Sequence, residues 1–119
     1  MSPPLARRIY VQQIIDLYRR APGATGHVRK SDRRLAAELH DHGIPIDVVR
    51  SAIFLAVARR SFRSAGAPSL APIASLHYFR SVIDELITNP PDPGYLGYVR
   101  HMLATVAPHF VAADEHRLP

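Results

Sequence analysis

Apolar residues recur every three to four positions along most of the chain, and no stretch alternates convincingly between apolar and polar residues. That spacing is typical of α-helices with one buried face. It predicts an all-α protein in which about five helices form a single compact domain over residues 1–119. The segment at about 47–63 is apolar on nearly all sides, which predicts a buried central helix.

Prolines, glycines and short polar residues set the predicted helix limits. Ser31 or Asp32 is the predicted cap of the second helix, Gly43 is its left-handed stop, and Asp92 followed by Pro93 opens the fifth. Polar residues at the end of the chain predict a loose tail over 107–119. The predicted helices span about 4–20, 31–43, 47–63, 72–88 and 92–106.

The helical spacing also predicts which large side chains face the core. In the first helix it places Leu5 and Ile9 inward, in the fourth Ile87, and in the fifth Tyr95.

Residues 31–63 allow two interpretations. As a helix-turn-helix, the third helix would lie in a major groove and read bases. Among the residues of its first two turns, only Arg50 is suited to hydrogen-bond a guanine. Asp47 would repel phosphates, and Phe54, on the same side, is apolar. A helix this apolar favours the second interpretation, a helical hairpin in the core.

Positive charge is concentrated in the first half of the chain. Residues 1–63 hold twelve of the fifteen Lys and Arg against five acids, a surplus of seven, whereas residues 64–119 hold three against five. Such an asymmetry favours a basic face for a polyanion. Arginine outnumbers lysine fourteen to one, which suits bidentate contacts with phosphate but is also what a GC-rich genome would encode.

Basic residues gather at three predicted helix ends. Arginines at the end of the first and third helices also complement the helix dipole. That explanation does not cover the basic residues at the start of the second helix, where positive charge is mildly unfavourable, so phosphate contact is the hypothesis there. The candidate nucleic-acid-binding residues are Arg19, Arg20, Arg29, Lys30, Arg33, Arg34, Arg50, Arg59, Arg60 and Arg63.

Other chemistry has weaker support. Cysteine is absent, and His40-Asp41-His42 has no second cluster to complete a zinc site. No catalytic sequence motif is present, so neither an enzyme, a metal nor a cofactor is expected. Tyr78–Phe79, Tyr95 and Tyr98 could stack on unpaired bases, although their spacing is more typical of a core or an interface between protomers. No segment reads as a signal peptide or membrane span, and a cytoplasmic location is expected.

The stretch Arg59-Arg60-Ser61-Phe62-Arg63, followed by Pro72-Ile73-Ala74-Ser75-Leu76-His77-Tyr78-Phe79, resembles accessory domains of bacterial replication-initiator and replisome-organiser proteins. In those domains, a helix with a basic end leads through a loop to a helix that opens in a similar way. The chain differs from them in lacking an obvious winged-helix strand pair. The resemblance implies a DNA-associated role on a plasmid, phage or other mobile element, and so favours DNA over RNA without deciding between them.

Two functional hypotheses remain. The first is a small nucleic-acid-binding accessory protein that holds phosphates through residues 19–34 and 59–63. The alternative is a helical adaptor without nucleic-acid contact, whose fifth helix or tail docks on a protein partner or on a second copy.

Overall fold

The fold is built around one apolar helix, and its all-α class agrees with the prediction. The structure, a computed structural model, describes residues 4–63 and 65–115. Within these ranges the only strand-like pairing is an isolated bridge between Ala24 and Ile73. The helices are α1 (Pro4–Arg20), α2 (Lys30–Asp41), α3 (Ile46–Ser61), α4 (Arg80–Thr88), α5 (Pro93–Val106) and α6 (Pro108–Glu115), with a 3₁₀ turn at Leu76–Phe79.

The middle of α3 is enclosed by its neighbours. Every side chain from Ala52 to Ala58 is buried, with Ile53 and Val57 fully so. Helices α1, α4 and α5 pack around it, and burial of this much apolar surface is the main stabilising contribution to such a domain. The prediction of a central apolar helix is therefore confirmed.

Helices α1 and α2 pack side by side in opposite directions. The guanidinium of Arg7, near the start of α1, forms an ion pair of 3.0 Å with Asp41 at the end of α2. The hydroxyl of Tyr10 donates a hydrogen bond of 2.9 Å to the carbonyl of Ile44, just beyond α2. The antiparallel arrangement places the end of α1 beside the start of α2.

The predicted inward positions of Leu5 and Ile9 are wrong, because both side chains are exposed. They line an open groove between the first turns of α1 and the side of α2. Burial in α1 is concentrated on its second half, at Ile14, Ile15, Leu17 and Tyr18. Ile87, near the end of α4, is also exposed rather than inward.

The predicted cap of α2 is wrong. The helix begins at Lys30, and Asp32 lies within its first turn rather than before it. There its carboxylate accepts hydrogen bonds from the backbone N–H of Arg29 (2.9 Å), from the backbone N–H of Leu76 (2.9 Å) and from the hydroxyl of Ser75 (3.1 Å). Asp32 is fully buried, and its three donors satisfy a group that would otherwise be costly to bury. It thus fastens the start of α2 to the 3₁₀ turn.

The predicted start of the fourth helix near residue 72 is also wrong. Ile73 is held in extended backbone, because its N–H donates to the carbonyl of Gly23 (2.7 Å) and its carbonyl accepts from Thr25 (3.0 Å). The hydroxyl of Ser75 then accepts from the N–H of His77 and caps the 3₁₀ turn. The α-helix begins only at Arg80.

The last part of the described chain combines a confirmed prediction with a wrong one. The carboxylate of Asp92 caps α5 by accepting from the N–H of Gly94 (3.1 Å), as the sequence predicts. The prediction of a loose tail is wrong for residues 108–115, which form α6 with Phe110 and Val111 buried. The ring of Phe110 packs 4.8 Å from that of Phe54, and this contact holds α6 on the core. Residues 116–119 lie outside the described part of the chain.

Candidate nucleic-acid interface

Basic side chains of α1 and α2 meet at one end of the molecule. The antiparallel pairing brings the last turn of α1 to the first turn of α2, where Tyr18 lies within reach of the charges of Asp32 and Arg29. Burial raises the pKa of Tyr18, and the nearby carboxylate of Asp32 raises it further. Because Asp32 and Leu35 face the core, the basic residues between and around them face solvent.

Six of the candidate residues form this surface, which we call the basic edge. All six side chains are exposed. Within residues 4–63 and 65–115, none of the six forms an ion pair with a carboxylate. Asp16 is an acid close to the edge, and its carboxylate accepts a hydrogen bond from the amide of Gln12. The basic edge comprises Arg19, Arg20, Arg29, Lys30, Arg33 and Arg34.

The groove between α1 and α2 continues the positive surface along the molecule. It measures about 480 Å³, and Arg7, Arg8 and Arg33 are among its lining residues. Arg7 is paired with Asp41, whereas Arg8 is exposed. Arg8 is not among the residues predicted from the sequence, because only the pairing of α1 with α2 places it in one groove with Arg33.

The arginines at the end of α3 lie at the same end of the molecule but have protein partners. Arg60 packs against Gly23 so closely that a Cβ added there would lie 2.7 Å from Arg60 Nε. Arg60 also donates to the carbonyl of Ala71, and Arg63 donates to that of Pro68. These two arginines therefore fasten the chain that follows α3.

Arg59 forms a two-pronged ion pair with Glu85 of α4, with N–O distances of 2.9 and 2.6 Å. The shared hydrogen bonds raise the pKa of Arg59 and lower that of Glu85. Both side chains remain about half exposed, so water screens the pair and it contributes little to stability. We call Arg59, Arg60 and Arg63 the α3 arginines.

Arg50 is not brought together with the other candidates. It lies nine residues before Arg59, about 14 Å along the helix axis. Its side chain is only 19% exposed and lies 3.3 Å from the carboxylate of Asp47. Phe54, on the same side of α3, is buried. The first two turns of α3 therefore present Asp47, rather than a row of base-reading groups, to solvent.

The turn at Gly43 has the predicted left-handed conformation, with φ of +74°. It does not join a hairpin of two mutually packed helices. Helix α2 packs chiefly on α1 and the 3₁₀ turn, and α3 chiefly on α4 and α5. The turn instead carries the chain from one pair of helices to the next.

Aromatic side chains form a second surface near the α3 arginines. Phe62, Tyr95 and Tyr98 are 44%, 48% and 58% exposed, so the predicted inward position of Tyr95 is wrong. They surround a cleft of about 270 Å³ whose lining includes Arg59 and Met102. We call this the aromatic cleft. Phe79, by contrast, is fully buried.

The histidines of the predicted metal candidate have local partners. His40 Nδ1 lies 3.1 Å from the carboxylate of Asp41, and His42 Nδ1 lies 2.7 Å from the carbonyl of Glu38. Among residues 4–63 and 65–115, His, Asp and Glu side chains form no group of three suited to a metal ion. In the same part of the chain, no helix has the length and apolar character needed to cross a membrane.

Comparison with protein-family models, curated proteins and solved structures found no match. The fold and the surface together define an all-α protein with a basic edge and an exposed aromatic cleft.

Proposed function

We propose that the protein binds nucleic acid, DNA in particular, by holding phosphates on the basic edge. The observation that carries this proposal is the gathering of six exposed basic side chains where α1 ends and α2 begins, none of them paired with a carboxylate of the described residues. Like charges so close together repel one another, and a bound polyanion relieves that repulsion.

The position of the charges supports a ligand over a purely structural role. Four of the six lie at the start of α2, where the helix dipole disfavours positive charge. The burial of Asp32 removes its carboxylate from the exposed surface of the first turn of α2. The four basic residues at the start of α2 are thus held where the helix dipole opposes their charge.

The expected mode of binding is independent of sequence. Contacts between arginine and phosphate position a protein on nucleic acid but carry no base information. Because Arg50 is largely covered and paired with Asp47, α3 is not expected to read bases. The proposed role is that of an accessory protein on DNA, in keeping with the resemblance carried by residues 59–63 and 72–79.

Binding of a random-sequence duplex across a series of salt concentrations tests the proposal. Replacing Arg29, Lys30, Arg33 and Arg34 together by Gln should weaken binding to all sequences alike. The slope of log affinity against log salt should become shallower by up to about 3.6, since each neutralised phosphate contributes about 0.9. Circular dichroism should show that the variant stays folded.

A matched pair of single variants separates local contact from overall charge. Arg33→Gln removes one charge from the basic edge, and Arg80→Gln removes one exposed arginine of α4 that is paired with Asp84. Only Arg33→Gln should change the slope. If the quadruple variant binds the duplex as tightly as the parent at low salt, the basic edge is not the binding site.

A second function, that of a protein-binding adaptor, is favoured by an apolar cleft of about 490 Å³ on another side of the molecule. Ile44, Val48, Leu86 and Leu96 line it, and apolar surface of this kind favours protein contacts. Association through it should be nearly independent of salt, and Val48→Glu should abolish it. Sedimentation of the protein at low and high salt tests self-association of this kind.

A further inference from the structure

The exposed aromatic cleft has no evident role in folding. Phe62 follows the last turn of α3, and Tyr95 and Tyr98 lie three residues apart on one face of α5. Large aromatic rings usually face the core of a domain, as the rings of Phe54 and Phe79 do. A cluster of exposed rings that shares one cleft marks a surface for binding.

The cleft lies next to positive charge. Arg59 lines the aromatic cleft and also a neighbouring cleft of about 410 Å³ that contains Arg60, Arg63 and Tyr78. The guanidinium of Arg60 lies 5.8 Å from the centre of the Tyr78 ring and packs against Gly23 in the loop that follows α1. Arg60 therefore connects the loop that follows Arg20 of the basic edge to a cleft that shares Arg59 with the aromatic cleft.

We infer that the aromatic cleft stacks unpaired bases of a single-stranded nucleic acid whose phosphates lie on the basic edge. This inference rests on the proposed function and specifies its ligand. Single-strand binding sites combine a positive track for the backbone with rings on which bases stack. A duplex cannot use the rings in this way, because its base faces are already stacked on one another.

Charge distinguishes this occupant from a second copy of the chain. The rings border Arg59, which also lines the neighbouring cleft that contains Arg60 and Arg63, and the chain has a formal net charge of +5. Two copies meeting at this face would bring positive surfaces together, whereas a polyanion complements them.

The ion pair between Arg59 and Glu85 gives the site a further property. Arg59 lines the aromatic cleft, but both terminal nitrogens of its guanidinium donate hydrogen bonds to the carboxylate of Glu85. A phosphate that contacts Arg59 must compete with this carboxylate. Glu85→Gln should therefore release Arg59 and strengthen single-strand binding, with a salt slope steeper by about 0.7 for one additional phosphate.

Fluorescence anisotropy with labelled oligodeoxythymidine, oligouridine and a hairpin duplex tests the inference. Tyr98→Ala should weaken binding of the single strands by about 5- to 150-fold and leave duplex binding unchanged. Tyr98→Trp, which keeps a stacking ring, should restore single-strand binding. Ile87→Ala, an exposed apolar residue outside the cleft, is the control and should change neither.

Phe62→Ala provides a second variant with the same expected selectivity. Equal effects of Tyr98→Ala on single strands and duplex, or no effect on either, would overturn the inference while leaving the proposed function in place. A parent protein that binds no nucleic acid at all would overturn both. Dissociation of a dimer by Tyr98→Ala in sedimentation, without a change in binding, would assign the cleft to self-association and overturn the inference.

Discussion

The start of α2 and the residues at the end of α3 are both rich in arginine, yet the two sets of arginines have different partners in the fold. Arg33 and Arg34 are exposed and pair with no carboxylate in the described part of the chain, whereas the α3 arginines bind Glu85 and the carbonyls of Ala71 and Pro68. The same residue type is available for a ligand in one place and occupied within the protein in the other. Exposure and charge density alone do not distinguish arginines that are available for a ligand from arginines that are bound within the protein. Their hydrogen-bond and ion-pair partners do.

The largest expected effect concerns the residue that holds the start of α2. Asp32→Ala removes the acceptor of the buried N–H of Leu76 and of the N–H of Arg29. A buried donor left without a partner costs about 1–3 kcal/mol, so the free energy of unfolding should fall by at least that amount. Urea denaturation measures it. An unchanged midpoint would show that Asp32 does not position the basic edge.

A glycine pair tests how firmly Arg60 is held. Gly23 and Gly26 both have positive φ, of +89° and +83°, so Ala at either position should cost about 1–2 kcal/mol. A Cβ at Gly23 would also displace the Arg60 guanidinium, whereas a Cβ at Gly26 would meet no heavy atom within 4 Å.

Gly23→Ala should therefore cost more than Gly26→Ala in thermal unfolding, and the excess should disappear in an Arg60→Ala background. Equal costs in the parent background would show that Arg60 does not rest on Gly23 in solution.

The smallest expected effect is the pH dependence of the ion pair that joins the start of α1 to the end of α2. The hydrogen bond from Arg7, reinforced by His40, lowers the pKa of Asp41 from 3.8 to about 2. Because the folded state has the lower pKa, the stabilisation is present above about pH 4 and is lost as the pH falls toward 2.

Asp41→Asn should therefore be slightly less stable than the parent at neutral pH and equally stable near pH 2. A difference that persists unchanged at pH 2 would contradict this assignment.

Most helix limits could be predicted from the sequence because local residues set them. Gly43 stops α2, and Asp92 with Pro93 opens α5, through interactions within a few residues. The errors came from partners distant in sequence. The carboxylate of Asp32 accepts a hydrogen bond from the N–H of Leu76, forty-four residues away. Ile73 is held in extended backbone by its hydrogen bond to the carbonyl of Gly23. The contact of Phe110 with Phe54 orders the segment predicted as a tail.

The candidate site shows the same limit. The exposure of Arg29, Arg33 and Arg34 could be predicted, because their apolar neighbours at helical spacing fix the buried face of α2. The partners of the α3 arginines could not be predicted, since Glu85 lies twenty-six residues beyond Arg59 in the sequence. The sequence indicated Tyr95 and Tyr98 as possible stacking residues but not Phe62, because Phe62 and Tyr98 line one cleft only when α5 packs on α3.

The most direct test of the account compares two variants with the same loss of charge in duplex binding across a salt series. One variant replaces Arg29, Arg33 and Arg34 of the basic edge by Gln, and the other replaces the three α3 arginines by Gln. The basic-edge variant should lose up to about 2.7 from the salt slope with little change in unfolding free energy. The α3 variant should lose stability and keep most of the slope. An equal loss of slope in both would show that overall charge, not the unpaired basic edge, governs binding.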